Sequence, residues 1–169
     1  MYFSYSYLSP PGEMLLLSDG EALTGLYFIG QRHFPGAEGC EMAELEIFRC
    51  TCKWLDGYFA GKIPGAIPKI RPAGSEFQMK IWNELLKIPY GSTVTYGELA
   101  RTVAGLLGRE RMSAQAVGNA VGRNPISVII PCHRVLGADG SLTGYAGGVE
   151  RKRALLTLEA DTIRRNCRN

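Results

Sequence analysis

Along this chain, apolar and polar residues alternate, cluster or recur every three to four positions, and each pattern predicts an element. Tyr2-Phe3-Ser4-Tyr5-Ser6-Tyr7 alternates aromatic and serine, a strand signature closed by Pro10-Pro11-Gly12. Met14 to Leu17 and Gly25 to Ile29 flank Ser18-Asp19-Gly20-Glu21, whose Asp-Gly pair marks a hairpin. Together these segments predict a small antiparallel sheet. Met42, Leu45, Phe48, Cys52, Leu55 and Phe59 recur at helical spacing, which predicts an amphipathic helix from about Glu41 to Ala60 packed on that sheet. Gly61 to Pro72 then carries Pro64, Gly65, Pro68 and Pro72, too many breakers for a regular element. A linker is expected there, dividing the chain into residues 1–72 and 73–169.

The second part opens with Ser75 and Gln78 in capping-box register before the apolar stripe Phe77, Ile81, Trp82, Leu85 and Leu86. Thr95 and Glu98 repeat the device for a helix through about Val103, and Ser113 is the expected N-cap of another. In that last helix Ala116, Val117, Ala120 and Val121 read as the buried face, with Gln115, Gly118, Asn119, Gly122 and Arg123 outward. Two short helices in this order predict a helix-turn-helix whose second member approaches a nucleic-acid groove. Its small, polar outer face carries few base-reading groups, so binding independent of sequence is expected.

Ile126 to Val135 is an apolar run rich in β-branched residues, read as a strand covered on both faces and stopped by Pro131. It delivers Cys132 and His133 side by side where a rigid element opens into a loop. A thiol of pKa about 8.5 needs a partner to become thiolate, and His133 is the candidate. Adjacent side chains on an extended chain point apart, so either the chain bends after Pro131 or a water relays the proton. Beyond it lie a turn at Gly137-Ala138-Asp139-Gly140 and a glycine-rich loop from Leu142 to Gly148. A final helix is expected over Arg151 to Ala160 with Ala154, Leu155 and Leu158 inward, followed by a frayed basic tail from Asp161 to Asn169.

Composition changes this picture only in part. At 169 residues with 46% hydrophobic and 21% charged content, the chain is an ordinary globular protein. No stretch reaches the length of a membrane span, and the start lacks a signal-peptide layout, so a cytoplasmic protein is expected. Five cysteines at irregular spacing fit free thiols in a reducing compartment. Cys50-Thr51-Cys52, with Cys40 and His33 upstream, matches no standard zinc spacing, and no metal is expected. The net charge of +3 is unevenly shared: residues 1–72 hold 6 Lys+Arg against 8 Asp+Glu, residues 73–169 hold 13 against 8. Phosphate affinity is therefore expected in the second half.

Asn124-Pro125, Pro131-Cys132-His133-Arg134 and Gly144-Tyr145-Ala146-Gly147-Gly148 together resemble the active-site signature of the O6-alkylguanine-DNA alkyltransferases, the methylated-DNA-protein-cysteine methyltransferases. The resemblance runs from about Phe77 to Glu159. It implies an α/β (α+β) architecture: a ribonuclease-H-like N-terminal sheet plus helix, then a C-terminal winged helix-turn-helix domain carrying the reactive cysteine. It also implies single-turnover transfer of an alkyl group from O6-alkylguanine, and O4-alkylthymine, in double-stranded DNA to Cys132. A soft nucleophile suits that poor electrophile. His133 resembles the water-mediated base, Glu159 the carboxylate that orients it and Asn124 the brace of the active-site turn. Tyr96 resembles the tyrosine that donates to the purine and crowds the phosphate as the base flips out.

Further roles follow from the same likeness. The carbonyls of Cys132 and Val135 would accept from the exocyclic amine, the amide of Ala146 would donate to the alkylated oxygen, and Tyr145 and Gly147 would shape the pocket. Ala114, Gln115, Gly118, Asn119 and Arg123 would meet DNA. Gln115 departs from the family, many of whose members place an arginine there to fill the stack, so weaker and less salt-sensitive binding is expected. Zinc occurs in the N-terminal domain of some members, but its ligands do not map onto this sequence. A monomer without cofactor is expected. The competing readings are a lesion sensor, which resembles this fold with the nucleophile replaced; a Cys-His-Glu hydrolase, which needs an oxyanion hole; and a helix-turn-helix regulator, which needs base-reading side chains.

Overall fold

The computed structural model describes residues 1–168; Asn169 lies outside the described residues. Strands β1 (Tyr2–Ser9), β2 (Gly12–Ser18) and β3 (Leu23–Phe28) form the expected antiparallel meander. Asp19 Oδ1 closes the second turn by accepting from the amides of Glu21 and Ala22 at 3.0 and 2.9 Å. The sheet is not wholly antiparallel, because β4 (Cys40–Met42) joins β1 in parallel and gives the order β3-β2-β1-β4. This also shortens the predicted helix. Residues 40–43 hydrogen-bond along the sheet edge, Ala43 N reaching Ser4 O, so α1 (Glu46–Phe59) cannot begin at Glu41. Met42, which matched the helical period, is exposed. Of the rest of that period Phe48 and Leu55 are buried and Leu45, Cys52 and Phe59 partly buried against the core, while Ile47, Thr51 and Tyr58, outside the predicted stripe, are buried as well.

The breaker-rich segment 61–72 has no regular element, yet it is not loose. Leu23 donates to Lys69 O at 2.9 Å and accepts from Arg71 N at 2.8 Å, while the Arg71 side chain pairs with Asp19 and Glu21. The capping predictions hold atom for atom. Ser75 with Gln78 and Thr95 with Glu98 form reciprocal capping boxes at the starts of α2 (Glu76–Leu85) and α3 (Tyr96–Leu106), and Ser113 Oγ accepts from Ala116 N at the start of α4 (Ala114–Gly122). Trp82 locks α2 to α4 by donating to Ala120 O at 2.9 Å. Val117, Ala120 and Val121 are buried as expected, but Ala116 is exposed.

The largest correction concerns the central run. Residues 126–130 are buried, but they form a turn rather than a strand. Ile126 alone bridges β3, at Leu26; then Val128 adopts φ +71°, Ile129 N donates to Ser127 O and Ile130 N to Ile126 O. An all-apolar run looks the same whether a ladder or a tight turn satisfies its backbone. Here the Asn124 side chain serves as the partner strand: its Oδ1 accepts from Ile126 N at 2.9 Å and its Nδ2 donates to Ile130 O at 2.8 Å. After Pro131 the chain makes a 3₁₀ turn, Cys132–Arg134, then pairs β6 (Val135–Leu136) in parallel with β5 (Val94–Thr95).

The last helix, α5 (Val149–Asn166), is longer than expected at both ends, and most of the tail predicted to fray is helical. Thr162 is fully buried and Ile163 packs on Gly91, so tertiary contacts hold these turns. The inward stripe is Lys152, Leu155, Glu159 and Thr162; Ala154 is exposed. One hydrophobic core passes from Phe28 and Phe48 in the first half to Trp82, Ile130 and Leu155 in the second. Among the described residues no helix is long and apolar enough to cross a membrane.

Gly91 has φ +76°, and a Cβ there would sit 2.5 Å from Ile163 Cγ1. Gly91→Ala is therefore expected to destabilise the protein by about 1–3 kcal/mol, measured by denaturant unfolding. An unchanged midpoint would mean that the end of α5 is not docked.

Candidate active site

The 3₁₀ turn bends the chain after Pro131 but does not bring the adjacent Cys132 and His133 side chains face to face. With about three residues per turn, successive side chains diverge by roughly 120°, so the thiol and the imidazole face different neighbours. Cys132 is 5% exposed, with Asn124 Nδ2 donating to its sulfur at 3.0 Å. The Asn124 amide thus joins the sulfur and the closure of the 126–130 turn. A buried acceptor left without such a bond costs about 1–3 kcal/mol. Burial pushes the Cys132 thiol up to about 11, against the hydrogen bond from Asn124 and the charge of Lys152, which favour thiolate. The resting sulfur is protonated at neutral pH.

His133 is fully buried, and its Nε2 lies 2.6 Å from Glu159 Oε1. That contact assigns the ring hydrogen to Nε2 and leaves the Nδ1 lone pair without a hydrogen-bond partner among the described residues. The carboxylate is heavily used. Glu159 also accepts from Tyr58 OH at 2.8 Å, Arg134 Nε at 2.9 Å, Arg134 Nη2 at 3.0 Å and Gly91 N at 3.0 Å. Arg134 additionally donates to Ile88 O at 2.7 Å. Burial alone would raise the Glu159 carboxyl, but the hydrogen bonds from His133 and Arg134 and the charge of Arg134 outweigh it and hold the group below its ordinary range. Burial lowers His133 despite Glu159. Because Arg134 already neutralises the carboxylate, a second buried cation has no counter-charge, and His133 rests neutral.

An open groove of about 640 Å³ runs beside the site, lined by the predicted Tyr96, Ala114, Gln115, Gly118, Asn119 and Arg123, with Gly122 and Gly144. Arg32 and His33, from the first half, complete its wall. Cys132 does not line this groove. Tyr96 spans the two: burial and the nearby Cys132 raise its hydroxyl to about 12, and it donates to Thr143 O at 3.3 Å. A Cβ on Gly144 would come within 2.7 Å of that hydroxyl, so this glycine leaves room for Tyr96. Tyr145 is buried with its hydroxyl unpartnered among the described residues, and a Cβ on Gly147 would meet its ring at 2.6 Å. Val135 O accepts from Lys152 Nζ at 2.5 Å, and Ala146 O accepts from Arg32 N at 3.1 Å.

Sequence reasoning placed Cys132, His133, Asn124 and Glu159 together but missed Tyr58, Gly91, Arg134 and Lys152 as their partners. The spacing Lys152, Leu155, Glu159 was an available signal, since an inward leucine puts both charges on the same helical stripe. Among the described residues no three His, Cys, Asp or Glu side chains could hold a metal together.

Residues 76–161 match the family model described as "6-O-methylguanine DNA methyltransferase, DNA binding domain". A methylated-DNA–protein-cysteine methyltransferase of Haemophilus influenzae is 44% identical over 161 residues, 94% of this chain and 86% of that protein. Its counterpart in Methanosarcina acetivorans is 43% identical over 159 residues, covering 94% and 98%. The crystal structure of Mycobacterium tuberculosis O6-methylguanine methyltransferase superposes with a TM-score of 0.84 at 40% identity, over 96% of this chain and 94% of that one. The structure of M. tuberculosis OGT in complex with DNA gives 0.81 at 40% identity, over 95% and 93%.

The Glu159 network predicts a pH signature. The unfolded carboxyl binds its proton near pH 4.3 and the folded one only at lower pH, so the stabilisation is fully present above about 4.3 and is lost as pH falls through the folded value. Glu159→Gln keeps the volume but strands Arg134, at a cost of about 3–5 kcal/mol. Unfolding followed from pH 7 to 2 should show a lower but flatter acid limb in the variant; parallel limbs would contradict this account.

Proposed function

The chain belongs to the 6-O-methylguanine DNA methyltransferase family, and from that premise we propose how its own residues act. The protein repairs DNA by moving an alkyl group from guanine O6 onto cysteine sulfur, and duplex DNA is its partner. The S–C bond to Cys132 forms as the C–O6 bond breaks. The thiol proton passes through a water to the Nδ1 of His133, while Glu159 holds Nε2–H and stabilises the imidazolium that results. Tyr96, kept protonated by its raised pKa, donates to the departing purine. The net proton movement is from thiol to guanine, and the thioether has no easy return, so each chain acts once.

The single observation that carries this reading is the buried Cys132 sulfur held by Asn124 in the same 3₁₀ turn as the His133 that pairs with Glu159. A cysteine only 5% exposed and outside the groove lining cannot reach a stacked base. The base must leave the helix, at a cost of a few kcal/mol, and enter between Tyr96 and the loop that carries Tyr145. Gln115, near the start of α4 in the groove wall, is the residue proposed to occupy the vacated stack; its exposure in the groove supports that role. The Val135 carbonyl, already bonded by Lys152, retains a second lone pair for the exocyclic amine. Residues 1–72 and 73–169 act as one unit in this reading, because Tyr58 of the first reaches Glu159 of the second.

Incubation with methylated duplex should add one methylene to the Cys132 peptide, one equivalent per chain, by mass spectrometry. Cys132→Ser should lose transfer, and sustained turnover on excess substrate would overturn the proposal. Gln115→Arg adds one phosphate-seeking charge; it should tighten binding and steepen the dependence of log K on log salt by about one. No change in slope would remove Gln115 from the interface.

A further inference from the structure

The groove has a second wall that the helix-turn-helix reading does not explain. Arg32 and His33 come from the loop after β3, in the half of the chain whose net charge is negative, yet both are exposed and line the groove opposite α4. Arg123, at the C-cap of α4, lines it with them. Among the described residues no carboxylate lines this groove, so three cationic or protonatable groups converge on it without a counter-charge there.

The loop is built to hold that position. Gln31 N donates to Phe28 O at 3.1 Å, and Gln31 Oε1 accepts from Phe28 N at 2.9 Å and from Ser127 Oγ at 3.3 Å. Arg32 N donates to Ala146 O, and Phe34 sets its ring edge-on to Tyr27 at 6.3 Å. The loop is thereby tied to the sheet, to the 126–130 turn and to the glycine-rich loop. His33 itself has φ +61°, a left-handed conformation that costs a non-glycine residue about 1 kcal/mol or more. A strained, exposed histidine in an anchored loop implies that its side chain is used.

We infer that Arg32, His33 and Arg123 form a phosphate clamp that takes a backbone phosphate of duplex DNA, with His33 contributing only when protonated. The inference rests on the groove being the DNA-facing surface. Partial desolvation and the charges of Arg123 and Arg32 lower His33 in the free protein, so it is mostly neutral near pH 7. A phosphate between the three groups reverses that balance and draws a proton onto the ring, so DNA affinity should rise as pH falls. The titratable or charged groups facing His33 are Arg32 on its own loop, Arg123 on α4 and Tyr96 on α3; the remaining lining residues do not titrate. The sequence holds only 2 histidines, and the other, His133, is fully buried against Glu159. Between pH 5.5 and 7 the attribution is therefore clean.

The test measures anisotropy of a labelled, undamaged duplex from pH 5.5 to 7 at fixed ionic strength, for the intact protein and for His33→Asn. Asparagine tolerates the left-handed backbone and removes only the charge. The intact protein should bind about threefold to tenfold more tightly at pH 5.5 than at pH 7, as one partly screened charge-assisted contact requires, and His33→Asn should be flat. A flat wild type, or a variant with the same pH dependence, would overturn the inference. Alkyl transfer to Cys132 from methylated duplex is measured in parallel. Normal transfer with no His33 effect sinks the clamp alone, whereas absent transfer sinks the functional reading beneath it.

Discussion

The buried carboxylate of Glu159 is the constraint on which the rest depends. It takes hydrogen bonds from α1 through Tyr58, from the α2–α3 connection through Gly91, and from the 3₁₀ turn through His133 and Arg134. Elements far apart in sequence therefore meet at two oxygen atoms on α5. An ionised carboxylate inside a protein is tolerable only when its lone pairs are filled and its charge is matched, and Arg134 supplies the match. The arrangement fixes the His133 tautomer, orients its free nitrogen and keeps the ring neutral. Stability and chemistry draw on the same contacts.

Cys132 obeys the opposite logic. Burial holds its proton on, while Asn124 and Lys152 offer the thiolate limited support. A protein that can react once has reason to keep its sulfur unreactive toward solvent electrophiles, and a protonated thiol in a closed turn does that. Asn124 bonds both the sulfur and the carbonyl of Ile130, and the turn it closes contains Val128 in the left-handed region, a costly backbone for a β-branched residue. The strained turn and the reactive atom share one amide, so the position of the sulfur is set by the backbone around it rather than by side-chain rotation alone.

What could be read in the sequence was what local chemistry decides. Ser75, Thr95 and Ser113 announced their helices because an N-cap is satisfied within three residues, and the hairpin at Asp19-Gly20 is equally local. The reactive Cys132-His133 pair was visible with Asn124 and Glu159 through the family likeness. The Ile126–Ile130 turn was not legible, because apolar content reports burial and not the backbone path taken through it. The inward face of α5 was legible only through Leu155, which marks the stripe of Lys152 and Glu159; the groups that accept Lys152, the carbonyls of Val135 and Thr143 with the ring of Tyr96 nearby, were not. These partners are supplied by topology.

The same reason explains why charge counting pointed away from the first half. A net charge sums over a surface, whereas an anion responds to the few groups within about a Debye length, roughly 10 Å at moderate salt. The acidic excess of residues 1–72 includes Asp19 and Glu21, which pair with Arg71, and Glu46, which pairs with Arg49. These carboxylates are occupied elsewhere and none lines the groove. Arg32 and His33 are the first-half residues that do. A half-molecule with an unfavourable total can therefore present a favourable face to a polyanion, and the Gln31–Ser127 contact holds that face in register with the 126–130 turn that leads into the reactive sulfur.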